Sequence, residues 1–166
     1  MKTYIIDTNC FIQAHRASYP LDVAHSFWKK FKLMADEGKI ISIDKVKNEL
    51  FKHDDKLKSW CRINLPKGFF KEFTNVALSE YTLLSTWANS NNHYKSSAKA
   101  VFLDSERADA FLAAYASVDK SNLVVVTQEV SAPGSKSNIK LPDACNAMSV
   151  QCVNLIEMFR ELAETF

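Results

Sequence analysis

Leu123-Val124-Val125-Val126-Thr127 has no charged residue and no alternation of polar with apolar side chains, so as a strand it must be covered on both faces. That requirement points to a parallel sheet with helices on either side, because an antiparallel sheet with one wet face would alternate. Tyr4-Ile5-Ile6 and Ile40-Ile41-Ser42-Ile43 are short apolar runs of the same kind. Helical patterns separate them. Asp22 to Glu37 carries Phe27, Phe31 and Met34 at helical spacing and stops at Gly38, and Asp44 is placed to cap a helix with Val46 and Leu50 on its buried side. Asp104 or Ser105 is expected to cap a further helix running to about Val118. After a loop at Ala132-Pro133-Gly134-Ser135, a short helix opens at Pro142-Asp143, a strand spans Gln151 to Asn154, and a final helix follows. The alternation implies an α/β fold with a mostly parallel sheet, and 166 residues suit a single domain over 1–166. Residues 54 to 103 read as helical pieces broken at Asn64-Leu65-Pro66 and Asn89-Ser90-Asn91-Asn92, which predicts a helical lid.

Several function classes are disfavoured by what the chain lacks. No apolar run approaches the ~18 residues of a membrane span. The start, Met1-Lys2 and a short strand ending in Asp7, is too short and too soon acidic for a signal peptide, so a cytoplasmic location is expected. Cys10, Cys61, Cys145 and Cys152 show no CxxC spacing and read as reduced, packed thiols, while the four histidines form no HExxH pair. Gly38, Gly68 and Gly134 are the only glycines and build no phosphate-cradling loop. A phosphatase with Asp7 as nucleophile is also disfavoured, since haloacid-dehalogenase-like enzymes carry a second Asp two positions on and this chain has Asn9.

What remains is a set of acids where strands end and helices begin. Asp7 closes the first strand, Glu49 lies on the helix after the second, Asp109 sits early in the helix after the lid, and Glu129 follows the buried strand. A doubly wound topology brings strand ends and helix N-termini to one edge of the sheet, so these four are able to meet. Asp109 is the sharpest, because Leu112, Ala113 and Ala116 make a small-residue stripe that would press its carboxylate against the sheet. Clustered, partly buried acids repel and lose hydration, and a divalent cation removes both penalties. Oxygen ligands without organised thiol or imidazole suit Mg²⁺ or Mn²⁺. Thr8 and Asn9 are placed to orient Asp7 by hydrogen bonds, and Thr127 is a further supporting candidate.

The same residues admit plainer roles. Asp7 suits an Asx turn or helix cap, Glu49 an ion pair with Lys45 or Lys52, and Glu129 an ordinary loop. Asp143 is a first-turn acid after Pro142, and Asp104 and Glu106 read as cap and first-turn residues.

Taken in order, Ile5-Ile6-Asp7-Thr8-Asn9-Cys10-Phe11-Ile12, Val46-Lys47-Asn48-Glu49-Leu50, Ala108-Asp109-Ala110-Phe111-Leu112-Ala113-Ala114-Tyr115-Ala116 and Val125-Val126-Thr127-Gln128-Glu129 resemble PIN-domain nucleases. The resemblance spans nearly the whole chain. It is nearest to an uncharacterised PIN-like group with a segment like Lys140-Leu141-Pro142-Asp143-Ala144-Cys145. It implies a three-layer α/β/α fold and a metal-dependent endoribonuclease with three or four acids, often the toxin of a bacterial toxin-antitoxin pair. Asp7 and Asp109 match as metal ligands and Glu49 as a third. PIN domains usually place Asp where Glu129 stands here, so Glu129, Asp143 or both complete the set. RNA is the implied substrate, and a cognate antitoxin protein and a homodimer are further associations open to the chain. The rival reading is a catalytically silent PIN-like module that binds RNA or protein.

Charge distribution bears on the substrate. From Lys29 to Lys71 there are twelve Lys or Arg against six Asp or Glu, whereas the whole chain carries only +2. Such a basic stretch suits a phosphate backbone, although a solvated helical surface has the same composition. Trp60, Phe69, Phe70 and Tyr94 lie in or near it as candidates to stack on unpaired bases where they are not used in the core.

Overall fold

Consecutive residues of a strand point to opposite faces of its sheet, and both Ile5 and Ile6 are 0% exposed. The sheet is therefore covered on both sides. A computed structural model describes all 166 residues. Its strands are β1 (Thr3–Ile6), β2 (Ile40–Ile43), β3 (Phe70–Lys71), β4 (Leu123–Val126) and β5 (Gln151–Val153). They form one sheet in the order β3-β2-β1-β4-β5, with every pairing parallel. Tyr4 is level with Ile40 on one side and Val124 on the other, which places β1 at the centre. The helices are α1 (Thr8–Gln13), continued by a π-helical turn (Ala14–Ser18), α2 (His25–Asp36), α3 (Asp44–Phe51), α4 (Lys56–Asn64), α5 (Thr74–Ser90), α6 (Ser96–Phe102), α7 (Asp109–Ser117), α8 (Leu141–Ala147) and α9 (Leu155–Glu161). This is the three-layer α/β/α architecture expected from the alternation. No helix is long and apolar enough to cross a membrane.

The strand order carries a functional consequence. From β1 the chain builds outward to β2 and β3, then returns to place β4 on the other side of β1. The reversal lies between β1 and β4, and in open α/β sheets the ligand crevice sits outside the carboxyl ends of the strands at that point. Asp7 and Thr127 are the residues that leave those two strands there.

Packing follows the apolar pattern. Phe27, Phe31 and Met34 of α2 are buried with Phe11, and Phe11 meets Phe31 edge-on at 5.3 Å. Leu112, Ala113 and Ala116 of α7 are fully buried, so the small-residue stripe does press on the core. On its other side Phe111 stacks on Tyr81 of α5 at 4.7 Å. All four cysteines are free thiols, three of them buried.

Element ends differ from expectation where a side chain or turn competes with the helix. Helix α2 begins at His25 rather than Asp22, because Val23 and Ala24 donate their N–H groups to Pro20 in a separate turn. Asp44 is the first helical residue of α3 rather than its cap, and its carboxylate accepts from Lys45 N at 2.9 Å and Phe73 N at 3.4 Å. Helix α7 begins at Asp109, not Asp104 or Ser105. Asp104 instead closes its own turn, accepting from Glu106 N at 2.9 Å, and such local bonds compete with a helix start. Strand β5 ends at Val153 because Asn154 and Glu157 form a capping box on α9. The segment 54 to 103 is helical over α4, α5 and α6, and it also supplies the edge strand β3, too short to leave a periodic signal.

Candidate functional site

At the carboxyl ends of β1 and β4 lies an open cavity of about 470 Å³. Asp7 reaches it from the end of β1, Glu49 from α3, Asp109 from the first position of α7, and Glu129 from the loop after β4. Four segments far apart in sequence thus bring four acids to one cavity.

Asp7 is the deepest, at 3% exposed. Its N–H continues the ladder to Val126 O at 2.9 Å, which fixes its backbone to β4. Its Oδ2 accepts the hydroxyl of Thr127 at 2.7 Å. That hydroxyl in turn accepts from Asn9 Nδ2 at 3.0 Å and from Glu129 N at 3.1 Å. One donated proton and two accepted bonds exhaust a threonine hydroxyl, so its direction is set. Asn9 Oδ1 also accepts Gln128 N at 3.0 Å. Asn9 therefore supports Asp7 through Thr127, not by direct contact.

Thr8 does not orient Asp7. It borders the same cavity at 6% exposed, and its Oγ1 is buried with no hydrogen-bond partner. Buried hydroxyls without a protein partner are rare, and this one is left uncommitted beside the acids.

Glu49 is tied down by Oε1, which accepts Ala108 N at 2.5 Å and so caps the start of α7. Its expected lysine partners are engaged elsewhere. Lys45 lies over the ring of Phe111 at 4.5 Å, and Lys52 pairs with Glu106 at 3.3 Å. Glu129 Oε2 accepts Leu141 N at 2.7 Å and so holds the start of α8. Asp109 Oδ2 faces Arg107 Nη2 at 3.6 Å. Each of the four carboxylates thus commits one oxygen, and no protein donor reaches the other.

Electrostatics records the crowding. Burial first, then the charge of Asp109, lifts Asp7 well above the usual carboxylate range, against the opposing Thr127 bond, with Glu129 and Glu49 adding to the rise. Asp109 is pushed up to about 6, chiefly by burial and then by Glu129, with Arg107 opposing. The ionised cluster is under-neutralised by protein alone.

Asp143 stands apart. It does not border the cavity, and its carboxylate accepts from Ser131 Oγ and from Ala132 N at 2.9 Å, which anchors the loop after β4. Between the two candidates for the fourth acid, only Glu129 shares the cavity with the other three. Of the aromatic candidates, Phe69 and Tyr94 are buried and Trp60 packs on Trp28 at 4.7 Å, which leaves half-buried Phe70.

Arg107 and His53 also border the cavity without having been candidates in the sequence, and Lys52, expected there as an ion-pair partner of Glu49, borders it too. Lys52, the residue that closes α3, lies about one turn beyond Glu49, and that spacing was the signal that pointed to it. Arg107 had none, because the turn at 104–107 rather than a helix directs it.

No set of three or more His, Cys, Asp and Glu side chains is arranged to hold a metal ion as the side chains stand. The donor chemistry, four carboxylates with one oxygen each uncommitted beside an unpartnered threonine hydroxyl, fits a hard divalent cation in kind. Among known proteins, a family model described as a domain of unknown function, DUF4411, matches residues 4–166. No curated protein and no solved structure matches the chain.

Proposed function

We propose that this chain, which belongs to the DUF4411 family, is a PIN-like nuclease that hydrolyses RNA phosphodiester bonds with Mg²⁺ or Mn²⁺. One observation carries the reading: Asp7, Glu49, Asp109 and Glu129 converge on a single cavity at the β1–β4 reversal, where burial and mutual repulsion raise Asp7 and Asp109. Acids whose ionisation is opposed by burial and by one another, gathered in one cavity, are the arrangement found at functional sites.

Asp7 and Asp109 would hold the cation directly. Glu49 would do so directly or through water, and Glu129 would complete the set with the oxygen that Leu141 N does not take. The chemistry such a cation supplies when bound is activation of water and neutralisation of charge on the attacked phosphate. Thr127 keeps Asp7 oriented by donating its only hydroxyl proton to it. Arg107 and Lys52, at the border of the cavity, would receive the non-bridging oxygens of the substrate. Asn9 holds Thr127 and the Gln128 backbone together, so the loop carrying Glu129 stays level with Asp7.

The test is incubation with labelled single-stranded and structured RNA in Mg²⁺, Mn²⁺ or EDTA, beside Asp7→Asn and Asp109→Asn. Metal-dependent internal cleavage, lost in both variants, is expected. Binding without cleavage under every metal condition overturns the nuclease and leaves a nucleic-acid-binding module. Release of phosphate from monoesters with internal linkages intact overturns it in favour of a phosphatase.

A further inference from the structure

On the other face of α3 a second cavity, of about 580 Å³, is bordered by four cations and no carboxylate. Lys47 comes from α3, Lys58 and Arg62 from α4, and Lys67 from the turn before β3. Lys47 Nζ and Lys58 Nζ stand 5.5 and 5.9 Å from the centre of the Phe51 ring, so two helices deliver ammonium groups to one aromatic side chain. Lys58 alone among the four has a carboxylate in reach, the exposed Asp54 at 3.6 Å. Converging like charges repel, and the arrangement gains when an anion enters.

The floor is aromatic. Phe51 and Phe70, both half-buried, meet edge-on at 6.2 Å. Gly68, at φ +85°, turns the chain so that Phe69 N reaches Pro66 O at 3.0 Å and Phe69 O accepts Ser42 N at 3.0 Å. That turn fixes Lys67 at the border of the groove beside Phe70 of its floor. Cations beside exposed ring surface are the chemistry that takes a phosphate together with an unstacked base. An acidic peptide would answer the charges but not the rings. The volume lies within the roughly 300–1,000 Å³ of small-ligand sites.

The two cavities are close in the chain. Phe51 borders the basic one and Lys52 the acidic one, so only the last turn of α3 separates them.

We propose that the basic groove binds an unpaired, phosphate-bearing nucleotide of a single-stranded nucleic acid. That the same strand continues to the acidic cavity rests on the nuclease reading; binding in the groove does not. Fluorescence anisotropy with an end-labelled RNA of about ten nucleotides, in EDTA over roughly 50–300 mM salt, tests it on the wild-type chain and on Arg62→Gln/Lys67→Gln. Both replaced residues are exposed, and unchanged circular dichroism and melting temperature verify the fold of the variant.

The double variant is expected to bind at least about tenfold more weakly near 100 mM salt. Its log K against log salt should be shallower by about 1.4, the loss of two single-strand phosphate contacts. Unchanged affinity and slope overturn the proposal. So does equal binding of a poly-glutamate peptide weakened by the same pair, which would assign the groove to an acidic protein segment. Groove-dependent binding without Mn²⁺-dependent cleavage sinks the nuclease reading alone; intact cleavage with RNA affinity indifferent to the pair sinks the groove alone.

Discussion

The hydroxyl of Thr127 donates to Asp7 Oδ2 at 2.7 Å across 120 residues of chain. Because it also accepts from Asn9 and Glu129, this one oxygen sets the position of two of the four acids. Thr127→Val keeps the shape and leaves the Asn9 amide and the Glu129 N–H without their acceptor. It should destabilise the chain by about 1–3 kcal/mol in urea melts. It should also weaken Mn²⁺ binding about 10–100-fold by calorimetry, with Thr127→Ser restoring both. Wild-type Mn²⁺ affinity in Thr127→Val would show that the hydroxyl only packs.

The metal-free chain should lose stability as pH rises. Asp109 in the folded state is raised to about 6, above its unfolded value, so its contribution is complete below the ordinary carboxylate range and is lost as pH passes through about 6. Between pH 5 and 7.5 this amounts to about 1 kcal/mol from Asp109 alone, and Asp7, also raised, acts in the same direction. Glu164, held down to about 2 by Lys30 and Lys39, works the opposite way only in stronger acid. Urea melts in EDTA at the two pH values, on wild type and Asp109→Asn, isolate the effect. A wild-type difference no larger than that of the variant would refute it.

Asp109→Asn should therefore melt higher than wild type at pH 7.5 in EDTA, since it removes one of the repelling charges. Mn²⁺ should raise the melting temperature of wild type and not of the variant. A variant that melts lower without metal, beside a wild type indifferent to Mn²⁺, would mean the acids serve the fold.

Glu49 has two separable duties. Glu49→Gln keeps an acceptor for Ala108 N and removes the charge, whereas Glu49→Ala removes both. The alanine variant should lose about 0.5–2 kcal/mol more stability than the glutamine variant, the range of a lost helix cap. Both should bind Mn²⁺ more weakly than wild type. Equal melting of the two variants would show that the cap is replaced by water.

Asp143→Asn should leave the Mn²⁺ response intact while it loosens the loop at Ser131 and Ala132. Faster hydrogen exchange confined to that loop, with an unchanged metal titration, is the expected pair of results. A lost titration would return Asp143 to the ligand set.

The sheet was legible because Leu123–Val126 and Tyr4–Ile6 are apolar on consecutive positions, and two-sided burial leaves few architectures. Asp7, Glu49, Asp109 and Glu129 were legible as acids at strand ends and helix starts, since topology alone sends those places to one edge. Glu129 and Asp143 stayed open together in the sequence because the resemblance calls for Asp where Glu129 stands and offers Asp143 in a second matching segment. Their difference is which backbone N–H each carboxylate finds, Leu141 for one and Ala132 for the other. Thr8 was misread for a similar reason: sequence adjacency to Asp7 says nothing of where a hydroxyl points. The start of α7 was missed because the Asp104 side chain closes its own turn.

The pairing of β1 with β4 has a meaning for synthesis as well as for geometry. Thr3 to Ile6 are made before their partners Leu123 to Val126, which follow some 120 residues later. No nascent chain that stops short of Thr127 can support Asp7 with that hydroxyl, so Asp7 waits for its partner while the intervening residues are made. Any activity that depends on the four acids is thereby withheld until Glu129 has been made.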